Sequence, residues 1–98
     1  MAKRRFHPGF PSDLRDAVLH FDGISPALGK KFRATVREKL ALITHHPELY
    51  ACLSGQIRAS RLPRFPYVLL YTIDGDCVYF VSLIIGSSDR TTWFDRVR

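Results

Sequence analysis

Arg58, Arg61 and Arg64 fall within seven positions, interleaved with Phe65, Tyr67 and Tyr71, and no acidic residue stands between Glu48 and Asp74. A guanidinium is a planar fork of donors that matches the oxygens of phosphate or carboxylate two at a time, and an aromatic face beside it can stack on a base. The chemistry these types and spacings offer is the gripping of an anionic partner by Arg58, Arg61 and Arg64 beside Tyr67 and Tyr71. Side chains alternate between faces along a strand, so Arg58 and Arg61 are expected on opposite sides. One of them is then free for structural pairing with an acid such as Asp13 or Asp89. In the plainer alternative, all of them are solvated ends of a strand and a turn.

Other chemistry is poorly represented. Nucleophilic catalysis needs a Ser or Cys, a His and an orienting acid that converge, whereas His7, His20, His45 and His46 are scattered over helix and loop positions. The His45-His46 pair before Pro47 suits the C-terminal end of a helix, where imidazolium meets the negative end of the dipole, better than a metal site. No metal and no cofactor is expected. Cys52 and Cys77 stand twenty-five positions apart without a C-x-x-C spacing, and read as free, mostly buried thiols rather than a disulfide framework.

These groups must be positioned by a small basic chain: 98 residues, fifteen Lys plus Arg against nine Asp plus Glu, a formal charge of +6 and an apolar fraction of 46%. That length allows one domain, spanning 1–98, and that apolar content argues against disorder. The charged start Lys3-Arg4-Arg5 runs into Phe6-His7-Pro8-Gly9 instead of an apolar leader core, and the longest apolar run, Val78 to Ile85, has eight residues, well below the ~18 of a membrane span. A cytoplasmic protein without membrane contact is expected.

Ser12 can cap a helix of about ten residues in which Leu14, Ala17, Val18 and Phe21 recur at helical spacing. Asp22-Gly23-Ile24 should break it. Ser25-Pro26 restarts a second helix in the favoured order of cap then proline, with Leu28, Phe32, Val36, Leu40 and Ile43 as its apolar stripe and Pro47 beyond its end. A link of roughly three or four residues makes an antiparallel helical hairpin, whose polar faces hold Arg15, Lys30, Lys31, Arg33, Arg37 and Lys39. From Ile57 the period becomes extended. Tyr67–Ile73 and Cys77–Ile85 flank Asp74-Gly75-Asp76, a hairpin turn signal, and both strands are apolar at odd and even positions alike, so both faces should be covered. Ile57–Leu62 gives a preceding strand, Lys3–His7 an N-terminal edge strand, and Asp89–Arg98 a last short helix that Trp93 and Phe94 can dock. The expected fold class is α+β: an N-terminal strand, the hairpin, a three- or four-stranded antiparallel sheet and a short C-terminal helix.

In these residues the chain resembles the RelE/ParE superfamily of toxins from bacterial type II toxin-antitoxin systems, and within it the ParE, or plasmid-stabilisation, branch. The likeness runs over nearly the whole chain: Pro8 ending the first strand, Asp13-Leu14 opening the first helix, Ser25-Pro26 and Phe32 in the second, Pro47 and Gly55 leading to Ile57-Arg58, then Arg64-Phe65-Pro66-Tyr67 with Tyr71, and Trp93 with Arg96. The Phe-Pro-Tyr-x-x-x-Tyr run after an Ile-Arg strand is its most specific part. The resemblance implies a β-α-α-β-β-β core with a C-terminal helical segment, and a cognate antitoxin that wraps the toxin with an acidic, amphipathic tail.

Two activities occur in that superfamily. RelE-like members cut mRNA on the ribosome, which needs a general base, a general acid and a cation for the developing phosphorane. Here the third-strand position that commonly carries Arg is Val68, the loop after the last strand reads Ile85-Gly86-Ser87-Ser88, and the C-terminal position often held by Tyr is Phe94. A hydrocarbon moves no proton. This alternative, with ribosome and mRNA as partners, would have to rest on Arg58, Arg61, Arg64 and Arg90 as phosphate ligands. ParE-like members poison DNA gyrase and need no hydrolytic residues. Many carry His-x-x-Arg-Asp-Pro after the last strand, of which this chain keeps Asp89 alone, so a degenerate, non-toxic homologue is a further alternative. The ParE-like reading makes Arg58, Arg61, Arg64, Tyr67, Tyr71, Arg90, Trp93 and Arg96 the contacts to gyrase or its DNA complex, and Leu28, Phe32, Arg33, Val36, Arg37 and Leu40 the contacts to the antitoxin.

Overall fold

A computed structural model of the chain describes residues 2–86. The order is β1 (Lys3–Phe6), α1 (Phe10–Ile24), α2 (Pro26–His45), β2 (Cys52–Ser54), β3 (Ile57–Arg61), β4 (Tyr67–Asp74) and β5 (Cys77–Ile85). The strands form one five-stranded sheet in the order β1-β5-β4-β3-β2. The fold is α+β as expected, with two differences in the sheet. The N-terminal strand lies parallel to β5, and the short, exposed strand β2 extends the other edge beyond β3. The expected C-terminal helix lies outside the described residues.

The helical hairpin is tighter than its sequence suggests. α1 starts at Phe10, two positions before Ser12, because His7 rather than Ser12 serves its N-terminus: the ring Nδ1 accepts from Gly9 N at 2.9 Å. Pro11 fits the first turn, where its missing N–H has no partner to lose. Asp22 and Gly23 do not break the helix, and the link to α2 is Ser25 alone. That residue closes α1 by donating its N–H to Phe21 O at 3.0 Å and opens α2 by accepting from Leu28 N at 3.1 Å. At Gly29 the helices come close: a Cβ there would displace the Asp22 carboxylate and stand 3.3 Å from the Asp22 Cα.

The hairpin packs on one sheet face through Phe10, Val18, Phe21, Phe32, Val36 and Ile43, which meet Tyr67, Leu69, Tyr71, Val78, Phe80 and Leu83. A second cluster of Ile57, Val68, Leu70 and Val81 occupies the opposite face, which accounts for strands apolar at every position. β4 and β5 join through Gly75 at φ +60, the left-handed backbone that a two-residue hairpin turn requires. A bulge follows: Tyr71 faces Phe80 but Leu70 faces Ser82, leaving Val81 as the extra residue. There Asp13, in the first turn of α1, accepts from Ser82 Oγ at 3.0 Å and more weakly from Leu83 N at 3.4 Å. The carboxylate thus ties the positive end of the α1 dipole to the irregular part of β5.

Candidate functional site

The arginine-rich stretch divides into two environments. Arg58 and Tyr71 are register partners across β3 and β4, and both reach the segment that follows α2. Arg58 Nη1 donates to Tyr50 O at 2.6 Å, and the Tyr71 hydroxyl donates to Pro47 O at 2.7 Å. Lys39 Nζ donates to the Tyr50 hydroxyl at 2.8 Å and stands 4.9 Å from the ring centroid. The buried Ser60 Oγ sits beside that phenol without closing a hydrogen bond of good geometry. Partial burial pushes the Tyr50 phenol up, but the Lys39 hydrogen bond and charge, with the Ser60 hydroxyl close by, outweigh it, so the group ionises below its ordinary 10.0. Tyr67 and Tyr71 are pushed above that value by burial, with the Arg58 charge offsetting part of the rise at Tyr71. This network locks the chain between α2 and β2 onto the sheet.

Arg58 is therefore half-buried and committed to a carbonyl, and neither it nor Arg61 forms an ion pair with Asp13. Tyr67 and Tyr71 are 8% and 0% exposed. Neither has a face to offer a base or a partner surface, which corrects their expected place among the target contacts. Tyr67 belongs instead to an aromatic cluster with Phe21, Phe32 and Phe65, whose ring centroids lie 4.9 to 5.9 Å apart in tilted and edge-on arrangements.

Arg61 and Arg64 are placed differently. Arg61 ends β3 on the face opposite the hairpin, as its register with Val68 requires, and is exposed. Arg64 is exposed at a tight turn and adopts φ +70. A proline followed by a residue of positive φ is the order of a type II turn, whose third position normally takes Gly or Asn. For an arginine that backbone costs about 1–2 kcal/mol. The turn cannot relax by sliding, since Leu62 N donates to Tyr67 O at 3.0 Å, Gly86 N to Pro66 O at 2.8 Å, and the Phe65 ring is buried.

On the hairpin, Phe32, Val36 and Leu40 are 0%, 1% and 9% exposed. They face the sheet, and their burial takes them out of the expected antitoxin surface. Leu28 is half-buried, and Arg33 and Arg37 are exposed with Lys30 and Lys31. The helices differ in sign: α2 carries Lys30, Lys31, Arg33, Arg37 and Lys39 against Glu38, whereas α1 carries Arg15 against Asp13, Asp16 and Asp22. The edge strand β1 adds Lys3, Arg4 and Arg5, all exposed.

Among the described residues no group of three or more His, Cys, Asp or Glu side chains could hold a metal, and no helix is long and apolar enough to cross a membrane. Both cysteines are free. Cys52 is exposed on the edge strand β2, against the expectation of burial; Cys77 is half-buried. His45 and His46 end α2 as expected. An open hollow of about 490 Å³ beside them is lined by His46, Pro47, Glu48, Leu49, Ile73 and Gly75, with no Ser, Thr, Cys or Lys side chain among them. Arg90, Trp93, Phe94 and Arg96 lie outside the described residues. Sequence reasoning missed Tyr50 and Lys39 as a unit; a lone Tyr just past Pro47 in the short connection between α2 and β2 was the available signal.

No family model matches the chain, and no curated protein matches it. Among solved structures it is similar to a chain of the chromosomal ParDE TA system from P. aeruginosa, with a TM-score of 0.74, 16% identity, and coverage of 85% of this chain and 94% of that one. The order of elements and the placement of the hairpin on the sheet are thus those of a ParE-like fold.

Proposed function

We propose that the chain is the toxin of a type II toxin-antitoxin system, a ParE-like inhibitor that arrests growth in the cytoplasm by poisoning DNA gyrase and is neutralised by an acidic antitoxin. The observation that carries this reading is the fold shared with the ParDE chain over 85% of this one. The side chains support it over ribosome-dependent mRNA cleavage. Val68 is buried hydrocarbon on the sheet face away from the hairpin, and Arg58, the first of the candidate phosphate ligands, is spent on the Tyr50 carbonyl. A target-binding inhibitor needs neither a general base nor a general acid, only a surface.

The antitoxin reading is refined by the charge difference within the hairpin. An acidic segment is steered to α2, not α1, and settles along the face that carries Lys30, Arg33 and Arg37. Charge of this kind raises the encounter rate, while affinity comes from apolar anchors. Tightly controlled expression in a bacterium tests the reading. Growth arrest with a DNA-damage response and loss of plasmid supercoiling is expected, and co-expression of an acidic partner should relieve it. Arrest with intact supercoiling and new cuts in translated mRNA would transfer the chain to the RelE-like class.

A further inference from the structure

We propose that Arg64 is held in a strained turn so that its guanidinium is delivered, already positioned, to a carboxylate in a pocket of the protein target. The inference rests on the target-binding reading above and names the contact that reading lacks.

Among the described residues Arg64 is the one non-glycine residue with positive φ; the others are Gly55 and Gly75. Asparagine or aspartate tolerates that backbone through local hydrogen bonds of a short polar side chain, which arginine does not have. Nothing within the described chain compensates, because the exposed Arg64 side chain has no hydrogen bond or ion pair there. Strain kept without a partner among the described residues is the pattern of a residue retained for an external one.

The surroundings make the turn a rigid support. Pro63 and Pro66 fix their own φ, Leu62 is 4% exposed and Phe65 8%, and the backbone bonds from Leu62 to Tyr67 and from Gly86 to Pro66 close the loop on both sides. Two anchored residues bracket an exposed arginine at the tip. Binding then orders one side chain and no backbone, which removes much of the entropy that docking a loop ordinarily costs.

The number of free cations at this corner decides between nucleic acid and protein. Arg58 is committed to the Tyr50 carbonyl, leaving Arg61 and Arg64 as the exposed arginines of this run among the described residues. Two phosphate contacts would give a salt dependence of slope only about −2 and correspondingly weak duplex binding. A single preset fork in a desolvated protein pocket, by contrast, is the usual form of an arginine hot spot.

The test compares wild type with R64G, R64N and R64K for thermal midpoint, for growth arrest on induction, and for binding to a short DNA duplex at physiological salt. R64G should raise the midpoint by about 4–8 °C and weaken growth arrest about tenfold or more. R64N keeps the backbone, removes the charge and should lose activity equally, while R64K should retain only part of it. An R64G chain as potent as wild type, or one with an unchanged or lower midpoint, overturns the proposal. Duplex binding that R64N weakens about tenfold assigns the contact to phosphate and overturns the protein pocket. Wild-type arrest with supercoiling intact contradicts the gyrase reading alone, and growth arrest still reads out Arg64. A wild-type chain that does not arrest growth overturns both.

Discussion

Arg58 and Arg64 stand at the two ends of the same strand and turn and are chemically identical, yet the fold uses them in opposite ways. Arg58, second in β3, faces the hairpin, where a backbone carbonyl accepts a hydrogen bond from its guanidinium and the buried Tyr71 lies beside it. Arg64 lies beyond the end of β3 in a turn that costs stability, and among the described residues its side chain has no hydrogen bond or ion pair. Charge density along the chain is uniform over this stretch, but availability is not. A basic run is a pool of candidate contacts, and the fold decides which members remain free.

The largest effect that separates the two ends comes from the anchor of the turn. Phe65→Ala removes a ring that packs at 4.9 Å against both Phe21 and Phe32, and is expected to cost about 3–5 kcal/mol in chemical denaturation. A loss below about 1 kcal/mol would mean that the turn is not anchored there. Next comes the network at the start of β3. Tyr71→Phe and Arg58→Met each leave a carbonyl acceptor without its donor and should cost about 1–3 kcal/mol, whereas Arg61→Met should fall within about 0.5 kcal/mol of wild type. Equal losses at Arg58 and Arg61 would erase the distinction.

A spectroscopic titration of the phenols is more delicate. Tyr50 should ionise first, below 10.0, and Tyr67 and Tyr71 above it. Lys39→Met should move the earliest phenolate signal upward and leave the later ones in place. The sign for stability follows. Tyr67 and Tyr71 have folded values above their unfolded ones, so their contribution is fully present below pH 10.0 and is lost as pH rises through the folded values. Tyr50 acts in the opposite sense, since its folded phenol gives up the proton first. Unfolding midpoints that start to drop above pH 10.0 in wild type, and drop less in Tyr71→Phe, match this account; identical alkaline curves contradict it. The smallest effect belongs to Lys3–Asp76, 4.0 Å apart with side chains 80% and 81% exposed. Asp76→Asn should change the thermal midpoint by no more than the scatter between repeats, because exposed pairs of this length are screened.

What could be read from the residues was what is locally determined. Ser25-Pro26 announced a helix start because its cap and its proline act within one turn, and Asp74-Gly75 announced a hairpin because positive φ favours glycine. The start of α1 was hidden because its cap is Gly9, with help from the His7 ring rather than from Ser12. β2 was hidden because three exposed residues carry no periodicity. The fate of Arg58 was hidden for another reason: its partner is the backbone carbonyl of Tyr50, and a carbonyl leaves no trace in residue types. Phe32, Val36 and Leu40 were legible as an apolar stripe, but a stripe does not say whether it faces its own sheet or a partner.

The central claim, that this chain is a gyrase-directed ParE-like inhibitor, is tested most directly with purified components: gyrase, ATP, relaxed plasmid and increasing amounts of the protein. The account predicts that supercoiling falls as the protein is added, that linear plasmid accumulates once the complexes are denatured and digested, and that R64N shifts the curve to higher concentration. Full supercoiling in excess protein, with no linear product, would contradict it.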